Sequence, residues 1–210
     1  VFIENKKSFY SGNPLRTSFY QQLVSGRVDR QNMAAESRPL NILVLGGSLG
    51  AHSLNEVVPL ALASISAQAE FSVRHQTGKK DVASVYEAYQ LANVEAKVEA
   101  FIDDIYLAYR QADLVIARSG ALTVSEIAAV GVACVLVPYP YASDNHQYAN
   151  AEWLVNTGGA ICISDADFTV TNTQSVLSEL VANRSELIDK GNKVNSVAMP
   201  DATDIIGSAC

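Results

Sequence analysis

The segment Gly46-Gly47-Ser48-Leu49-Gly50-Ala51 lies between a short apolar run and a helical pattern, and its composition suits phosphate binding. A glycine such as Gly47 lets the backbone approach a ligand, and the first turn of the next helix offers unpaired N–H groups. Ser48 adds a hydroxyl donor. The spacing matches neither G-x-G-x-x-G nor a Walker A loop. A tight turn between a strand and a helix therefore explains these residues equally well.

A second segment, running from Arg118 to Glu126, also follows an apolar run. Backbone N–H groups and the Thr123 hydroxyl could hold a second phosphate, and the Glu126 carboxylate could accept hydrogen bonds from a ribose diol. Thr123-x-x-Glu126 also has the spacing of a capping box, in which Glu126 would only stabilise the start of a helix. The residues alone leave both interpretations open.

A third segment begins at Phe101, where the backbone N–H and C=O of Ile102 could bind the edge of a pyrimidine. Alternatively, Asp103 caps the helix that follows. Asp103 and Asp104 do not form a D-x-D motif, and the sequence offers no convincing cluster of metal ligands, so we expect no metal site.

A fourth segment carries Gln147 and Asn150, which are three residues apart and share a face at the start of a helical pattern. Their amides could bind sugar hydroxyls. Arg16 follows the turn sequence Gly12-Asn13-Pro14-Leu15. A single arginine is usually a surface charge, and Arg16 gains interest only together with the other segments.

Apolar runs alternate with helical patterns from residue 41 onward. The runs cover 42–45, 71–75, 97–101, 114–117, 134–137 and 160–163. The helical patterns cover 50–64, 81–92, 103–111, 121–130, 145–156, 173–182 and 186–194, with a last one near residue 200. This alternation predicts an α/β fold with a Rossmann-like doubly wound parallel sheet of about six strands, covered on both faces. Ligands of such sheets bind beyond the carboxyl ends of the strands, and the four segments follow strands.

The composition argues against several classes of partner. Apolar residues make up 49% of the 210 residues, which is enough for a sizeable core, and the net charge is −7. Without a run of basic residues, binding to nucleic acid or a polybasic membrane anchor is disfavoured. The three cysteines form no C-x-x-C pair, and an odd number without such spacing indicates a protein of a reducing compartment. Since the chain starts at Val1 without a signal pattern, we expect it to be part of a longer protein.

In their order along the chain, these segments resemble the C-terminal half of the MurG-type N-acetylglucosaminyltransferases. The resemblance covers residues 12 to about 205, and SGALTVSEIAA is its most specific part. The matching stretches are GNPLR (12–16), LGGSLGAHSLN (45–55), HQTGK (75–79), FIDDI (101–105), ARSGALTVSEIAAVG (117–131), HQYANA (146–151) and MPDAT (199–203).

The resemblance implies the fold and the domain boundaries. It implies the C-terminal domain of a GT-B glycosyltransferase, in which two Rossmann-like domains face each other across a cleft. Residues 1–36 would be an interdomain segment with a remnant of a missing N-terminal domain, and residues 37–210 would form the domain that binds the UDP-sugar donor.

The resemblance also implies roles for single residues. Arg16 and the backbone of Ile102 would lie near the uracil, Ser48 next to Gly47 would contact the diphosphate, and Glu126 would bind the ribose.

The remaining implied contacts concern the sugar. Ala121, Leu122 and Thr123 would line the sugar and the phosphates, and Gln147 and Asn150 would contact the N-acetylglucosamine hydroxyls. No catalytic residue is assigned, because the general base is expected in the missing N-terminal domain.

The activity implied for the whole enzyme is inverting transfer of N-acetylglucosamine from UDP-N-acetylglucosamine to lipid I, which forms lipid II in peptidoglycan synthesis. No cofactor is implied. The missing N-terminal domain would bind lipid I and contact the membrane, so this half would be inactive alone. The full-length enzyme would be cytoplasmic, at the inner face of the plasma membrane.

Three other interpretations are weighed against this one. The first is a non-catalytic donor-binding subunit of a split glycosyltransferase, which GNPLR disfavours because it resembles a junction between two domains of one polypeptide. The second is another GT-B enzyme, such as a diacylglycerol glycosyltransferase or a UDP-N-acetylglucosamine 2-epimerase, which HQYANA and FIDDI disfavour. The third is a dinucleotide-binding dehydrogenase, which has a different glycine pattern.

Overall fold

The computed structural model describes residues 12–25, 38–47, 51–142, 145–199 and 201–209. The strands in these ranges are β1 (Leu40–Leu45), β2 (Phe71–Gln76), β3 (Ala96–Glu99), β4 (Leu114–Ala117), β5 (Ala133–Leu136) and β6 (Ala160–Cys162). The helices are α1 (Thr17–Ser25), α2 (His52–Ile65), α3 (Val82–Leu91), α4 (Ile105–Gln111), α5 (Ala121–Val130), α6 (His146–Val155), α7 (Val170–Val181), α8 (Arg184–Asn195) and α9 (Ala202–Ala209). Within these ranges, no helix has both the length and the apolar composition needed to cross a membrane.

The strands form a single parallel sheet in the order β3-β2-β1-β4-β5-β6. This order confirms the predicted doubly wound sheet. The chain moves outward from β1 to β3 and then returns to place β4 beside β1, so the strand order reverses between these two strands. The loops after β1 and β4 therefore leave in opposite directions and open a crevice at the carboxyl ends of the strands.

Buried apolar side chains cover both faces of the central part of the sheet. Ile42 and Val44 of β1 belong to a cluster with α2, α3 and α7, and Leu43 and Leu45 belong to a cluster with α1, α4, α5 and α6. Successive side chains of a strand point to opposite faces. A strand with both faces covered therefore has a continuous apolar sequence, as seen in β1 from Ile42 to Leu45.

The strands β2 and β3 do not follow the expectation of a sheet covered on both faces. Ser72, Arg74 and Glu99 are only partly buried and Lys97 is exposed. Arg74 Nε lies 2.7 Å from Glu99 Oε2. Helix α4, which follows β3, has only seven residues and contacts β1 rather than this edge. One face of these two strands therefore carries ion pairs instead of apolar packing, while the other face packs against the core.

Two helix starts also differ from the predicted ones because of capping side chains. The carboxylate of Asp104, not that of Asp103, caps α4 by accepting a hydrogen bond from Leu107 N at 3.0 Å. Helix α7 begins at Val170, three residues before the predicted start, because Thr169 caps it through the Asn172 N–H.

Helix α1 is not predicted by the sequence analysis, and it packs against α4. The Phe19 side chain is 1% exposed, and its ring meets those of Tyr106 and Tyr109 edge to face at centroid distances of 5.2 and 6.0 Å. The preceding turn is also packed, because Gly12 has φ +75° and a Cβ there would lie 2.8 Å from Met199 Cβ. Residues 12–25 thus belong to the same folded unit as the sheet.

We expect Phe19→Ala to lower the free energy of unfolding by about 3 kcal/mol, the usual loss when a large buried side chain is truncated. Tyr86→Ala is the matched control, because the Tyr86 side chain on α3 is 51% exposed, and its effect should stay within about 0.5 kcal/mol. Urea unfolding measures both. Equal, small effects would show that α1 does not contribute to the core.

Candidate functional site

A cleft of about 870 Å³ opens at the carboxyl ends of the strands. Its lining comes from the loops after the strands, from the first turns of α2, α5 and α6, and from Arg16 at the start of α1. The cleft includes the crevice between β1 and β4, where doubly wound sheets bind their ligands. It is therefore the candidate functional site.

The helices α2 and α5 begin at this cleft, on the two sides of the crevice. Their N-cap residues are Ala51 and Gly120, which have no side-chain oxygen to accept the first-turn N–H groups. The first-turn N–H groups of both helices receive no side-chain cap from these two residues, and the positive ends of two helix dipoles meet at the crevice. This arrangement suits an anion with two phosphate groups.

The two glycines after β1 serve different purposes. A Cβ on Gly46 would lie 2.9 Å from the backbone N of Ala51, so the turn from β1 into α2 is closely packed there. Gly47 lines the cleft with φ +79°, and no described atom lies within 4 Å of its Cβ position. The space beside Gly47 is thus open to a ligand. Ser48, which was expected to contact the diphosphate, lies outside the described residues.

Glu126 is a buried carboxylate at the wall of the cleft, and its side chain is only 2% exposed. The Tyr109 hydroxyl donates a hydrogen bond to it, and Arg16 Nε lies 3.3 Å from Oε1. Burial nevertheless raises the pKa of Glu126 to about 7, against the lowering effects of the Arg16 charge and the Tyr109 hydrogen bond. Oε1 accepts no hydrogen bond from the described residues. Apart from the nearby Arg16 charge this oxygen thus has no partner among the described residues, and a hydroxyl donor would supply one.

The capping-box interpretation of Thr123 and Glu126 is wrong. Helix α5 begins at Ala121 with Gly120 as its N-cap, so Thr123 is the third residue of the helix and cannot be the N-cap. Glu126 belongs to the second turn, where it has no free N–H to cap.

One end of the cleft is formed by the loop from β3 to α4. Phe101 is 50% exposed at its rim, while Ile102 is 1% exposed and lines the wall. The backbone N of Ile102 donates to Oε1 of Gln76 at 3.2 Å. The N–H that was expected to read a pyrimidine is therefore already paired in this structure.

Arg118 connects four parts of the cleft through its guanidinium group. It donates to Asp165 Oδ1 at 2.6 Å, to the Val137 carbonyl at 3.1 Å and to Ser53 Oγ at 3.0 Å. The Ser53 hydroxyl donates in turn to Asp165 at 2.7 Å, and the Arg118 guanidinium lies 5.6 Å from the centre of the Tyr139 ring. The loops after β4, β5 and β6 are thereby fixed to the first turn of α2.

The two amides of α6 have different positions. Gln147 lines the cleft, and its Oε1 accepts a hydrogen bond from Tyr139 N at 2.9 Å. Asn150 donates to the Ser119 carbonyl at 2.9 Å, and the Ser119 hydroxyl donates to the Gln147 carbonyl at 2.8 Å. Asn150 thus holds α6 against the loop after β4, and its contact with a sugar stays a prediction.

The cleft brings together residues from distant parts of the sequence. Six of the predicted site residues line it, namely Arg16, Gly47, Ile102, Thr123, Glu126 and Gln147. Ala121 and Leu122 lie in the first turn of α5, between the lining residues Gly120 and Thr123.

Four lining residues that matter for the chemistry were missed: Gln76, Tyr109, Arg118 and Asp165. Gln76 is the last residue of β2, Arg118 directly follows β4, and Asp165 lies shortly after β6. The rule that ligands bind beyond the carboxyl ends of strands would have found these three. Tyr109 lies inside α4, and only the packing of that helix against α5 brings its hydroxyl to Glu126.

We expect Glu126→Gln to stabilise the fold above pH 7. Because the folded pKa of about 7 lies above the ordinary 4.5, the parent loses stability as pH rises between these values, by roughly 3 kcal/mol for a shift of this size. The amide cannot ionise, so the variant should lack this decline. Urea unfolding at pH 5, 6, 7 and 8 measures it.

The control is Glu56→Gln, because the Glu56 side chain is 63% exposed and its loss should leave the pH dependence of the parent intact. Parallel stability curves for the parent and Glu126→Gln would contradict the prediction.

Comparisons with known proteins show which family this chain resembles. Two relatives carry the name UDP-N-acetylglucosamine--N-acetylmuramyl-(pentapeptide) pyrophosphoryl-undecaprenol N-acetylglucosamine transferase. The one from Coxiella burnetii is 41% identical over 210 residues, which cover 100% of this chain and 58% of the relative. The one from Paraburkholderia phymatum is 42% identical over 205 residues, which cover 96% of this chain and 53% of the relative. The chain thus spans somewhat more than half the length of these relatives.

A solved structure gives the same result in three dimensions. The crystal structure of Acinetobacter baumannii MurG superposes with a TM-score of 0.82 and 37% identity, over 89% of this chain and 53% of that one. Residues 41–206 match the family described as glycosyltransferase family 28 C-terminal domain. The sheet, the crevice and these matches together show that the chain belongs to this glycosyltransferase family.

Proposed function

We propose that this chain is the donor-binding half of an inverting glycosyltransferase that moves N-acetylglucosamine from UDP-N-acetylglucosamine to lipid I in peptidoglycan synthesis. The observation that carries the proposal is the buried Glu126 carboxylate, with an oxygen that accepts no hydrogen bond from the described residues, beside the start of α5. A ribose diol supplies the hydroxyl donors that this oxygen lacks.

The diphosphate of the donor fits the crevice between the first turns of α2 and α5. Gly47 leaves room for a close approach of the phosphates to the backbone. When the bond from the sugar to the diphosphate breaks, negative charge develops on the leaving phosphate. The N–H groups and dipoles of the two helices are already oriented toward that position, so they stabilise the charge without rearrangement.

The two ends of the donor extend from the crevice in opposite directions. The uracil lies toward Ile102, which the resemblance assigns to the base and which lines the same cleft as Glu126. The N-acetylglucosamine lies toward Gln147, at the start of α6. In this arrangement the Arg118 network holds the loops on both sides of the diphosphate in register.

The acceptor and the general base belong to the part of the enzyme that the relatives have beyond the matched region. We place lipid I in that part, together with contact to the inner face of the plasma membrane, as the resemblance implies. Residues 1–36 would form the interdomain segment, of which residues 12–25 pack against the donor domain formed by residues 37–210. On its own, this half would bind the donor without transferring the sugar.

We expect the chain to bind UDP at least ten times more tightly than ADP or GDP, because a purine is larger and has different hydrogen-bonding edges.

Glu126→Gln should weaken UDP binding by about 1.5–3 kcal/mol, the usual value of hydrogen bonds to a charged acceptor. Isothermal titration calorimetry at pH 8 measures both.

The control ligand is 2′,3′-dideoxyuridine diphosphate, which has no diol and should bind the parent and Glu126→Gln alike. Equal affinities for UDP and ADP would remove the uracil assignment. Undiminished binding of UDP to Glu126→Gln would remove the ribose assignment.

We expect Gly47→Asn to weaken UDP binding at least tenfold while the protein stays folded. Asparagine tolerates positive φ better than most residues, and the Cβ has free space in the unliganded cleft, but the added side chain occupies the approach of the diphosphate. Uridine without phosphates is the control, and its affinity should not change. If UDP binds Gly47→Asn as tightly as the parent, the diphosphate does not pass beside Gly47.

A further inference from the structure

Gln76 is a buried amide whose orientation is fixed by the backbone. It is the last residue of β2 and is 6% exposed. The atom that faces Ile102 N at 3.2 Å must be the amide oxygen, because a backbone N–H only donates. The assignment of Oε1 and Nε2 in this side chain is therefore settled by its partner.

Because Oε1 of Gln76 is bound by Ile102 N–H, the amide nitrogen Nε2 is the group that can contact a ligand in the cleft. Gln76 lines the cleft, and Nε2 has no hydrogen-bond partner among the described residues. A side-chain amide nitrogen carries two N–H donors, and this one lies on the cleft side of a residue that is otherwise buried. A donor at the wall of a ligand cleft that no described residue uses is available to an acceptor on the ligand.

Ile102 offers the ligand the opposite kind of group. Because its N–H is paired with Gln76, the backbone group left to contact a base is the carbonyl oxygen, which accepts. The wall beside Ile102 therefore combines a donor from Gln76 with an acceptor from Ile102.

We propose that Gln76 selects uracil against cytosine, with Nε2 donating to the carbonyl at C4 of the base while the Ile102 carbonyl accepts from the N–H at N3. Uracil has an acceptor and then a donor at these neighbouring positions, whereas cytosine has an amino donor at C4 and an acceptor at N3. With cytosine, the Gln76 donor would face the amino donor at C4, and the Ile102 acceptor would face the acceptor at N3, so neither hydrogen bond could form. The inference rests on the proposed function, since it concerns the base of the same nucleotide.

The test uses Gln76→Glu and compares the affinities for UDP and CDP by calorimetry. The glutamate keeps one oxygen for the Ile102 N–H and replaces the amide nitrogen by a second acceptor. The preference of the parent for UDP over CDP should fall at least tenfold. Any repulsion between the new charge and the diphosphate affects both ligands equally, so the ratio isolates the base.

Gln76→Leu is the second variant, and it removes the donor without adding a charge. It should weaken UDP at least fivefold and leave CDP nearly unchanged, and it keeps the test intact if the glutamate variant does not fold by circular dichroism. Tighter UDP binding by Gln76→Leu would overturn the inference, because Gln76 would then merely block the Ile102 N–H. A ratio unchanged in Gln76→Glu would overturn it too.

The parent separates this inference from the proposed function. If the parent binds UDP and CDP equally and tightly, the selection by Gln76 is wrong, while a uridine-type donor site remains. If the parent binds no UDP, the proposed function fails and the role of Gln76 fails with it.

Discussion

The site depends on keeping one carboxylate out of water without satisfying both of its oxygens. Glu126 is held by the Tyr109 hydroxyl and lies near Arg16, yet its pKa is raised to about 7 because burial outweighs both partners. Burying a charge that is not fully hydrogen-bonded destabilises a fold. The surrounding packing holds Tyr109 in place, because the Phe19 ring of α1 meets the Tyr109 ring edge to face.

The topology of the sheet gives this carboxylate its electrostatic surroundings. Because β4 returns to the side of β1, the helices that follow these strands start on either side of one crevice. Their N-caps are alanine and glycine, so no N-cap side chain accepts a hydrogen bond from the N–H groups of the first turn. A negative side chain and a positive pair of helix ends thus lie next to each other, which suits a ligand that carries hydroxyl groups beside phosphates.

Much of this architecture could be predicted from the sequence, because buried parallel strands leave continuous apolar runs and helix starts follow them. All six strands and eight of the nine helices described here lie close to their predicted positions. Helix α1 was missed because its apolar face is short and is explained only by the tyrosines of α4. The ring of hydrogen bonds around Arg118 and the pairing of Gln76 with Ile102 join residues 19 to 112 positions apart, and no local pattern encodes such contacts. The hydrogen bond from the Asn150 amide to the Ser119 carbonyl was likewise not foreseen, since residue type and spacing indicated only a possible sugar contact.

The raised pKa of Glu126 also has a consequence for the energetics of ligand binding. Near neutral pH the carboxyl group is partly protonated in the empty cleft. A hydroxyl pair that donates to it favours the ionised form, so occupancy lowers the pKa and expels a proton into the solvent. Ligand binding therefore depends on pH: the apparent affinity for a ligand with this hydroxyl pair rises with pH up to about 7 and levels off above it. The measured heat of association would accordingly include the ionisation enthalpy of whichever buffer takes up the proton.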